Sequence, residues 1–471
     1  MSAAAEAGTG RWPSLAVLSL AMLLPSLGTS IANVALPTLA AHFDVPMAGA
    51  QWVVISYLLA VTSFIVGAGR LGDQLGKSRV LAAGIAVFAV ASAAAAISPN
   101  LPFLIAARVA QGAGAAVLMA LSIAMVGDIV PPDKTGAAMG WLGTISAAGT
   151  ALGPSLGGLL LATVGWQAIF HLLALVGGGT WLLQRAIPVE RISKATVASY
   201  DGRGMVLLAA SLAAVSAAAT LWGKVPVQMV LGMACLAILG LAGFAVHELR
   251  TKVPLVQLGL LRQSQLSSGL YSMMAISAVV MTTLVVGPFY LTGHLHLTPG
   301  QTGLVMSLGP VIAALAGAPA GKLVDSIGAP RVLSAGLGLA LSGSLLMSIL
   351  PQRLGLAGYA ASLALITLGY AVFQAANTTR LMQEVDKAHR GVTSALLGLS
   401  RNLGLIGGAS VMGAVYSAEP AISLPWVPAS EHSGLADVFL GPAGLIATAW
   451  SATFWGAAIS GKDWGRGCTR R

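Results

Sequence analysis

Fourteen apolar runs, most of them about twenty residues long, follow one another along the 471-residue chain. A helix of that length crosses the roughly 30 Å hydrocarbon layer of a bilayer, where only helices and closed barrels satisfy their backbone groups. Charged residues make up 8% of the chain, against about 25% in soluble proteins. The sequence therefore predicts an all-α membrane protein with fourteen transmembrane helices. The runs lie near residues 15–42, 51–69, 80–98, 101–129, 138–163, 166–187, 204–222, 226–247, 267–292, 301–320, 332–350, 355–378, 391–416 and 438–460.

A charged, glycine-containing segment occurs twice between these runs. Residues 69–84 read GRLGDQLGKSRVLAAG and residues 321–336 read GKLVDSIGAPRVLSAG, with nine of the sixteen positions identical. The two segments follow the second and tenth runs, so a related half begins again after eight helices. Parallel repeats of this kind are common in secondary transporters. We therefore predict an N-terminal six-helix bundle (1–187), a linker with two inserted helices (188–265), a C-terminal six-helix bundle (266–460) and a cytoplasmic tail (461–471).

The basic residues support this arrangement. With the N-terminus in the cytoplasm and fourteen crossings, 21 Lys and Arg residues fall on the cytoplasmic side, two on the other side and two inside helices. Cytoplasmic loops of membrane proteins carry such an excess of Lys and Arg. This distribution predicts a multi-pass protein of the bacterial inner membrane with both termini in the cytoplasm.

The composition argues against several other classes of protein. The net charge of +10 is spread over short loops beside apolar runs, so we expect the lipid bilayer, and no nucleic acid, as the partner of the basic residues. Cys235 and Cys468 lack metal or redox spacing. Neither a phosphate-binding loop nor a catalytic Ser, His and Asp set is found. We predict no enzyme activity, no metal and no cofactor, and expect a monomer.

Five motifs occur in order on the first five runs. They are Ile31-x-Asn33-Val34-Ala35-Leu36-Pro37; Trp52 with Tyr57; Gly69-x-Leu71-x-Asp73-x-x-Gly76-Lys77-x-Arg79; Arg108 with Gln111, Gly112 and Gly114; and Gly149, Gly153, Pro154, Gly157 and Gly158. Together they resemble the major facilitator superfamily, in its fourteen-helix drug:proton antiporter branch, over essentially the whole chain. The resemblance implies proton-coupled efflux of small amphipathic compounds by alternating access.

We interpret the repeated segment as a conformational latch. A carboxylate at the membrane face, such as Asp73, can hold a neighbouring helix N-terminus and a guanidinium in one conformation and release them in another. Glycines allow a tight turn there. The alternative is a solvated turn that only fixes topology. The predicted latch residues are Gly69, Asp73, Gly76, Lys77, Arg79, Asp325 and Arg331, and Ala329 replaces the lysine in the second copy.

Two arginines lie inside predicted helices. A charge inside a bilayer is costly unless it meets water or a partner, so such residues are functional candidates. The resemblance implies a role in proton coupling for Arg108, and a structural hydrogen bond to helix-end carbonyls is the alternative. We interpret Arg401 as its counterpart in the second half and assign it the same role.

The fifth run carries small residues four positions apart, which predicts a close-packing helix face with a proline kink. The residues are Gly149, Gly153, Pro154, Gly157 and Gly158. The resemblance implies a hinge or seal between the two halves, of the type found in exporters.

The first run departs from the resemblance at one point. Many relatives carry an acidic residue shortly before the Asn-Val-Ala-Leu-Pro sequence, whereas Pro25, Ser26, Leu27 and Gly28 occupy this region here. None of the fifteen acidic residues falls near the middle of a predicted helix. A cationic compound would find no buried counter-charge, so Arg108 and Arg401 would favour neutral or anionic compounds.

Polar and aromatic side chains on otherwise apolar helices are the candidates for contact with a substrate, with packing or interfacial anchoring as the alternative. They are Asn33, Trp52, Tyr57, Tyr290, Gln374 and Asn377. Two other functions stay open: an importer or uniporter of a small metabolite with the same fold, which the fifth-run motif disfavours, and a membrane protein that transports nothing, which would not need paired loop motifs or an intramembrane arginine.

Overall fold

Fourteen long helices account for nearly all of the residues that the structure describes. In this computed structural model those residues are 11–130, 135–185, 201–223, 225–251, 259, 263–384, 390–417 and 435–467. The helices are α1 (Arg11–His42), α2 (Trp52–Leu75), α3 (Lys77–Ala96), α4 (Leu101–Ile129), α5 (Thr135–Thr163), α6 (Gln167–Gln184), α7 (Gly202–Thr220), α8 (Val227–Arg250), α9 (Ser264–Gly293), α10 (Pro299–Ile327), α11 and α12 (together Ala329–Glu384), α13 (Arg390–Gly407, continued to Ser417) and α14 (Leu435–Gly467). The predicted fold class and number of helices are confirmed.

The segment Ala329–Glu384 contains two helices joined by a tight turn at Gly355. This glycine has φ 56° and ψ −130°, values that are not helical. A Cβ on Gly343 would lie 2.7 Å from the backbone nitrogen of Ile366, and one on Gly336 would approach Phe373. Residues farther before Gly355 thus pair with residues farther after it, as in an antiparallel helical hairpin. We label residues 329–354 as α11 and 356–384 as α12.

Ten segments of the described residues are long and apolar enough to cross a membrane, counting the α11–α12 hairpin once. The three other helices are α6, α13 and α14. The apolar part of α14 that the structure describes is short, Val438–Thr453. A π-helical turn at Gly408–Met412 divides α13.

The repeated segment forms the same turn in both halves. Gly76 separates α2 from α3 with φ 92°, and Gly328 separates α10 from α11 with φ 87°. Each glycine nitrogen bonds the carbonyl four residues before it, at 2.9 Å and 3.0 Å. Only glycine adopts this left-handed backbone without strain, which explains its presence in both copies.

The chain divides into two compact units. Unit 1 contains residues 1–247, 251–255 and 291–310, and unit 2 contains residues 248–250, 256–290 and 311–471. The inserted helices α7 and α8 therefore belong to unit 1 almost entirely, together with the beginning of α10. The four-part division proposed from the sequence stays a prediction.

Three polar contacts hold the inserted pair within unit 1. The indole nitrogen of Trp52 on α2 donates a hydrogen bond to Thr220 Oγ1 on α7, at 3.2 Å. Asp201 accepts a hydrogen bond from the Gly204 nitrogen at the start of α7, at 2.9 Å. The same carboxylate oxygen lies 2.7 Å from His247 Nε2 near the end of α8. Asp201 therefore caps α7 and ties it to α8.

Candidate functional site

Arg108 of α4 is one of the largest fully buried side chains in the described residues. Its Nε donates to the Val53 carbonyl of α2 at 2.8 Å, and one terminal nitrogen donates to the Gly28 carbonyl of α1 at 3.2 Å. The other terminal nitrogen donates to Gln111 Oε1. The guanidinium carbon lies 4.1 Å from the centre of the Tyr57 ring. The positive charge is therefore surrounded by carbonyls, an amide and an aromatic face, with no carboxylate bonded to it among the described residues.

A second layer of hydrogen bonds orients the groups around Arg108. Tyr57 donates its hydroxyl to the Pro25 carbonyl at 3.0 Å. Gln111 donates from Nε2 to Ser92 Oγ on α3 at 2.6 Å, and Ser92 donates to the Phe88 carbonyl at 2.6 Å. Because both ends of the Gln111 amide are engaged, its oxygen is directed at Arg108. Four helices, α1 to α4, thus converge on one guanidinium.

Glycines let α4 approach its neighbours closely enough for these bonds. A Cβ on Gly112 would lie 2.5 Å from the Tyr57 carbonyl oxygen of α2. A Cβ on Gly114 would lie 2.7 Å from the Phe88 nitrogen and 2.9 Å from the Gly84 oxygen of α3. Real Cβ atoms do not come this close to backbone, so no larger residue fits without moving a helix.

The glycine face predicted on α5 packs on the backbone of α1. A Cβ on Gly149 would lie 2.8 Å from the Leu23 carbonyl oxygen, one on Gly153 2.8 Å from the Ile31 nitrogen, and one on Gly157 3.1 Å from the Ile31 oxygen. Ser26 and Ser146 bridge the same interface, 2.6 Å apart. Within unit 1, Gly158 faces another side, where its Cβ would lie 2.7 Å from Gly303 Cα.

The packing corrects the pairing of Arg401 with Arg108. Gly114 lies against Gly84 and Phe88, and Gly369 lies against Gly336 and Ala340 in the same way. The residue six positions before Gly114 is Arg108, whereas the residue six positions before Gly369 is Leu363. The second half therefore has a buried leucine where the first half has its arginine.

Arg401 instead corresponds to a serine of α5. Gly149 packs on the Leu23 carbonyl and Ser26, and Gly404 packs on the Met274 carbonyl and Ser277. The residue three positions before Gly149 is Ser146, and the residue three positions before Gly404 is Arg401. The order of the runs already indicates this, because a half that begins again after eight helices makes the thirteenth run the counterpart of the fifth and not of the fourth. The packing of the glycines then identifies the individual residue.

Four of the six candidate substrate residues are buried in this conformation. Asn33, Tyr57 and Asn377 are 0% exposed and Tyr290 is 3% exposed. Asn33 donates to the Thr29 carbonyl at 3.0 Å and Asn377 donates to the Gly269 carbonyl at 3.1 Å, while the amide oxygen of each has no partner. Tyr290 stacks on Tyr359, with ring centres 5.9 Å apart. Gln374 and Trp52 are partly exposed.

The bond from Trp52 to Thr220 favours the anchoring role that we weighed against substrate contact. Trp52→Phe keeps an aromatic ring but removes the donor, so we expect the free energy of unfolding to fall by about 0.5–1.5 kcal/mol. Thr220→Val removes the same bond from the other side and should have the same effect. Thermal or denaturant unfolding of both single variants and the double variant measures it, because the double variant should lose little more than either single one. A KM changed for some substrates in Trp52→Phe, with Thr220→Val normal, would place Trp52 in the substrate site instead.

The latch residues are at the surface of their units. Asp73, Arg79, Asp325 and Arg331 are exposed. Neither Asp73 nor Asp325 has a hydrogen bond or ion pair with another described residue. A Cβ on Gly69 would meet nothing within 4 Å, and the close approach occurs at Gly72, whose Cβ would collide with the Leu121 side chain. The latch therefore stays a proposal, and in this conformation neither of its two carboxylates bonds another described residue.

Several residues around the two arginines could not be identified from the sequence. Ser92 orients Gln111, Gly28 supplies a carbonyl to Arg108, and Tyr370 interacts electrostatically with Arg401. Serine, glycine and tyrosine are common in membrane helices, so no pattern marked them. Among the described residues, no group of three or more His, Cys, Asp or Glu side chains is placed to hold a metal ion.

Solved structures of several transporters share this fold. The nucleoside transporter NupG superposes with a TM-score of 0.67 at 14% identity, covering 94% of this chain and 99% of that one. A bacterial homologue of the human lysosomal transporter Spinster, in an inward-facing conformation, superposes with a TM-score of 0.68 at 15% identity, covering 97% and 98%. At these identities the similarity establishes the fold.

Curated relatives are more similar in sequence. The multidrug resistance protein Stp of Mycobacterium tuberculosis is 31% identical over 86% of this chain and 76% of its own length. The riboflavin transporter RibZ of Clostridioides difficile is 29% identical over 83% and 85%, and the multidrug efflux pump LfrA of Mycolicibacterium smegmatis is 28% identical over 93% and 88%. A family model described as the Major Facilitator Superfamily matches residues 18–409 and residues 269–461. The chain is a multi-span membrane transporter and belongs to the Major Facilitator Superfamily.

Proposed function

We propose that this transporter exports small amphipathic compounds from the cytoplasm by alternating access, in exchange for protons. The observation that carries the proposal is the glycine face of α5. It packs on the backbone of α1, and its residues are those of the exporter-type motif. Helices in such close contact move as one body, because their packing has no side-chain layer that can rearrange. We further propose the bacterial inner membrane as its location, with both termini in the cytoplasm.

The relatives support export as the direction of transport. Stp and LfrA are named for multidrug resistance and efflux, and a further relative, 28% identical over 89% of this chain, is a tetracenomycin C resistance and export protein of Streptomyces glaucescens. The riboflavin transporter among the relatives keeps the alternative open that this chain moves a single metabolite.

Arg108 is the proposed coupling residue. Its guanidinium keeps its charge at any physiological pH, and its acceptors come from α1, α2 and α4. Movement of α1 relative to α2 would exchange the Gly28 and Val53 carbonyls for other partners. The position of one fixed charge is thereby linked to the conformation of the helices around it, which is what coupling to a charged species requires.

The test uses inverted membrane vesicles that contain the full chain. A pH gradient is imposed while potassium and valinomycin hold the membrane potential at zero, and anionic, neutral and cationic amphiphiles are added in turn. We expect some compounds to accelerate collapse of the pH gradient, with uptake of the labelled compound into the vesicles in parallel. Vesicles without the protein give the background.

A second arm distinguishes a uniporter. Here the pH is equal on both sides and a potassium diffusion potential is the only driving force. Labelled flux in this arm, combined with no acceleration of gradient collapse in the first arm, would overturn proton coupling and identify a uniporter. Flux that always runs toward the cytoplasm would overturn export.

A further inference from the structure

The surroundings of Arg401 differ in kind from those of Arg108. Arg401 lies near the middle of α13 and is partly exposed. Its Nε is buried and has no hydrogen-bond partner, and its guanidinium has neither a hydrogen bond nor an ion pair with another described residue. Its terminal nitrogens are not among the buried atoms without a partner, so they are open to a ligand. A charge in mid-membrane that no other described residue hydrogen-bonds or neutralises is a candidate functional site.

Two other polar groups belong to the same part of unit 2. The Tyr370 side chain of α12 interacts electrostatically with Arg401. One turn along α13, Gly404 packs on Ser277 of α9, whose hydroxyl is completely buried and has no hydrogen-bond partner. We call Arg401, Tyr370 and Ser277 the Arg401 cluster. It combines a guanidinium, a phenol and a hydroxyl from three helices, and none of the three is bonded to a carboxylate of the described residues.

We infer that the Arg401 cluster binds the anionic head group of an amphipathic organic acid, such as a carboxylate. A guanidinium binds a carboxylate through two parallel hydrogen bonds, and a nearby phenol can donate another. The two terminal nitrogens, which are open to a ligand, can form such a pair end-on, whereas Nε is covered by protein. Cationic amphiphiles would be repelled, because no acidic side chain of the described residues balances Arg401. The inference deepens the proposed function by naming a substrate class, and it replaces the coupling role first assigned to Arg401.

An anionic substrate also has an energetic consequence. The interior of a bacterial cell is electrically negative, so a potential of 100 mV alone favours an anion outside by about fiftyfold. Export of organic acids would therefore not need a carboxylate in mid-membrane to bind a proton. This agrees with the absence of an acidic residue from the region of Pro25 to Gly28.

The experiment measures binding without any gradient. The purified full chain in neutral detergent is dialysed at pH 7 against labelled 2-naphthoate or its uncharged amide, 2-naphthamide. We expect the wild type to bind naphthoate at least about tenfold more tightly than the amide. Arg401→Gln should weaken naphthoate binding by about 10–100-fold and change amide binding by less than about threefold. Arg401→Lys should retain part of the preference, because it keeps the charge without the paired donors.

Matched controls separate recognition from folding. Arg353 is an exposed arginine beside the turn between α11 and α12, and Arg353→Gln should bind both probes as the wild type does. Tyr370→Phe should weaken naphthoate binding several-fold through loss of one donor. Added phosphatidylglycerol should not displace naphthoate. Displacement would assign the cluster to a lipid head group and overturn the inference.

Two further results would overturn the inference. They are equal binding of naphthoate and naphthamide by the wild type, and an equal loss of both in Arg401→Gln. Because binding needs no driving force, it is independent of direction and coupling. Naphthoate binding lost in Arg401→Gln, without proton-driven flux of any compound, would uphold the inference and reject the proposed coupling. Proton-driven flux of neutral compounds, without preferential naphthoate binding, would uphold the proposed coupling and reject the inference.

Discussion

Arg108→Ala is expected to reduce proton-driven flux to the background of vesicles that lack the protein. The variant loses the guanidinium that joins α1, α2 and α4 and leaves Gln111 Oε1 without its partner. The protein should still fold, because the glycine contacts of α4 do not involve Arg108. We expect the free energy of unfolding to fall by about 1–3 kcal/mol, the usual result of leaving one buried polar group unsatisfied. Gradient collapse and unfolding are measured on the same preparation.

Two variants show whether this loss of flux comes from the charge. Arg108→Lys keeps the charge, but its single ammonium cannot reach three acceptors in different directions, so flux should be reduced and not abolished. Gln111→Leu removes one acceptor and keeps the guanidinium. It should destabilise the protein by a similar amount while most of the flux per folded molecule remains. Equal flux in Arg108→Ala and Gln111→Leu would show that Arg108 acts only through packing.

Gly153→Ala should destabilise the protein strongly for a change of one methyl group. The new Cβ would overlap Ser30 Oγ and lie 2.8 Å from the Ile31 nitrogen, so α1 and α5 must separate. Overpacking of this kind lowers the free energy of unfolding by about 1–3 kcal/mol. Flux per folded molecule should fall as well, because Ser30 also bonds the Gly149 carbonyl across this interface, at 3.2 Å.

Gly143 on the same helix is the matched control. A Cβ there would meet nothing within 4 Å, so Gly143→Ala should leave the free energy of unfolding within about 0.5 kcal/mol of the wild type. Unfolding of both variants is followed by thermal shift and by denaturant. A Gly153→Ala protein as stable and active as Gly143→Ala would show that α1 and α5 are not in close contact in the working transporter.

The periodic and repeated features of the chain were predictable from sequence because each rests on a local rule. Helix number follows from apolar length, the Gly76 and Gly328 turns follow from the repeat, and the α5 face follows from glycines four residues apart. Membership in the Major Facilitator Superfamily also confirms the prediction of a transporter rather than an enzyme.

The surroundings of the polar side chains were not predictable. A polar residue on an apolar helix can face a cavity or a backbone carbonyl, and the sequence does not distinguish the two. Asn33 and Asn377 bond carbonyls, and Tyr57 supports Arg108. The pairing of Arg401 with Arg108 was wrong although the eight-helix repeat already assigned the thirteenth run to the fifth. Only the correspondence with Ser146 needed the structure, because it depends on which glycines touch which helices.

The π-helical turn of α13 has a consequence for comparing the two halves of the chain. It begins at Gly408, four residues after Gly404, and α5 has Gly153 and Pro154 at the corresponding point. A π turn accommodates one residue more than an α turn, so side chains after Met412 are rotated by about 100° from where α-helical spacing would direct them. A profile of tolerated substitutions along α13 will therefore change phase in the middle of the helix. Mutational data from α5 transfer to α13 only as far as that point.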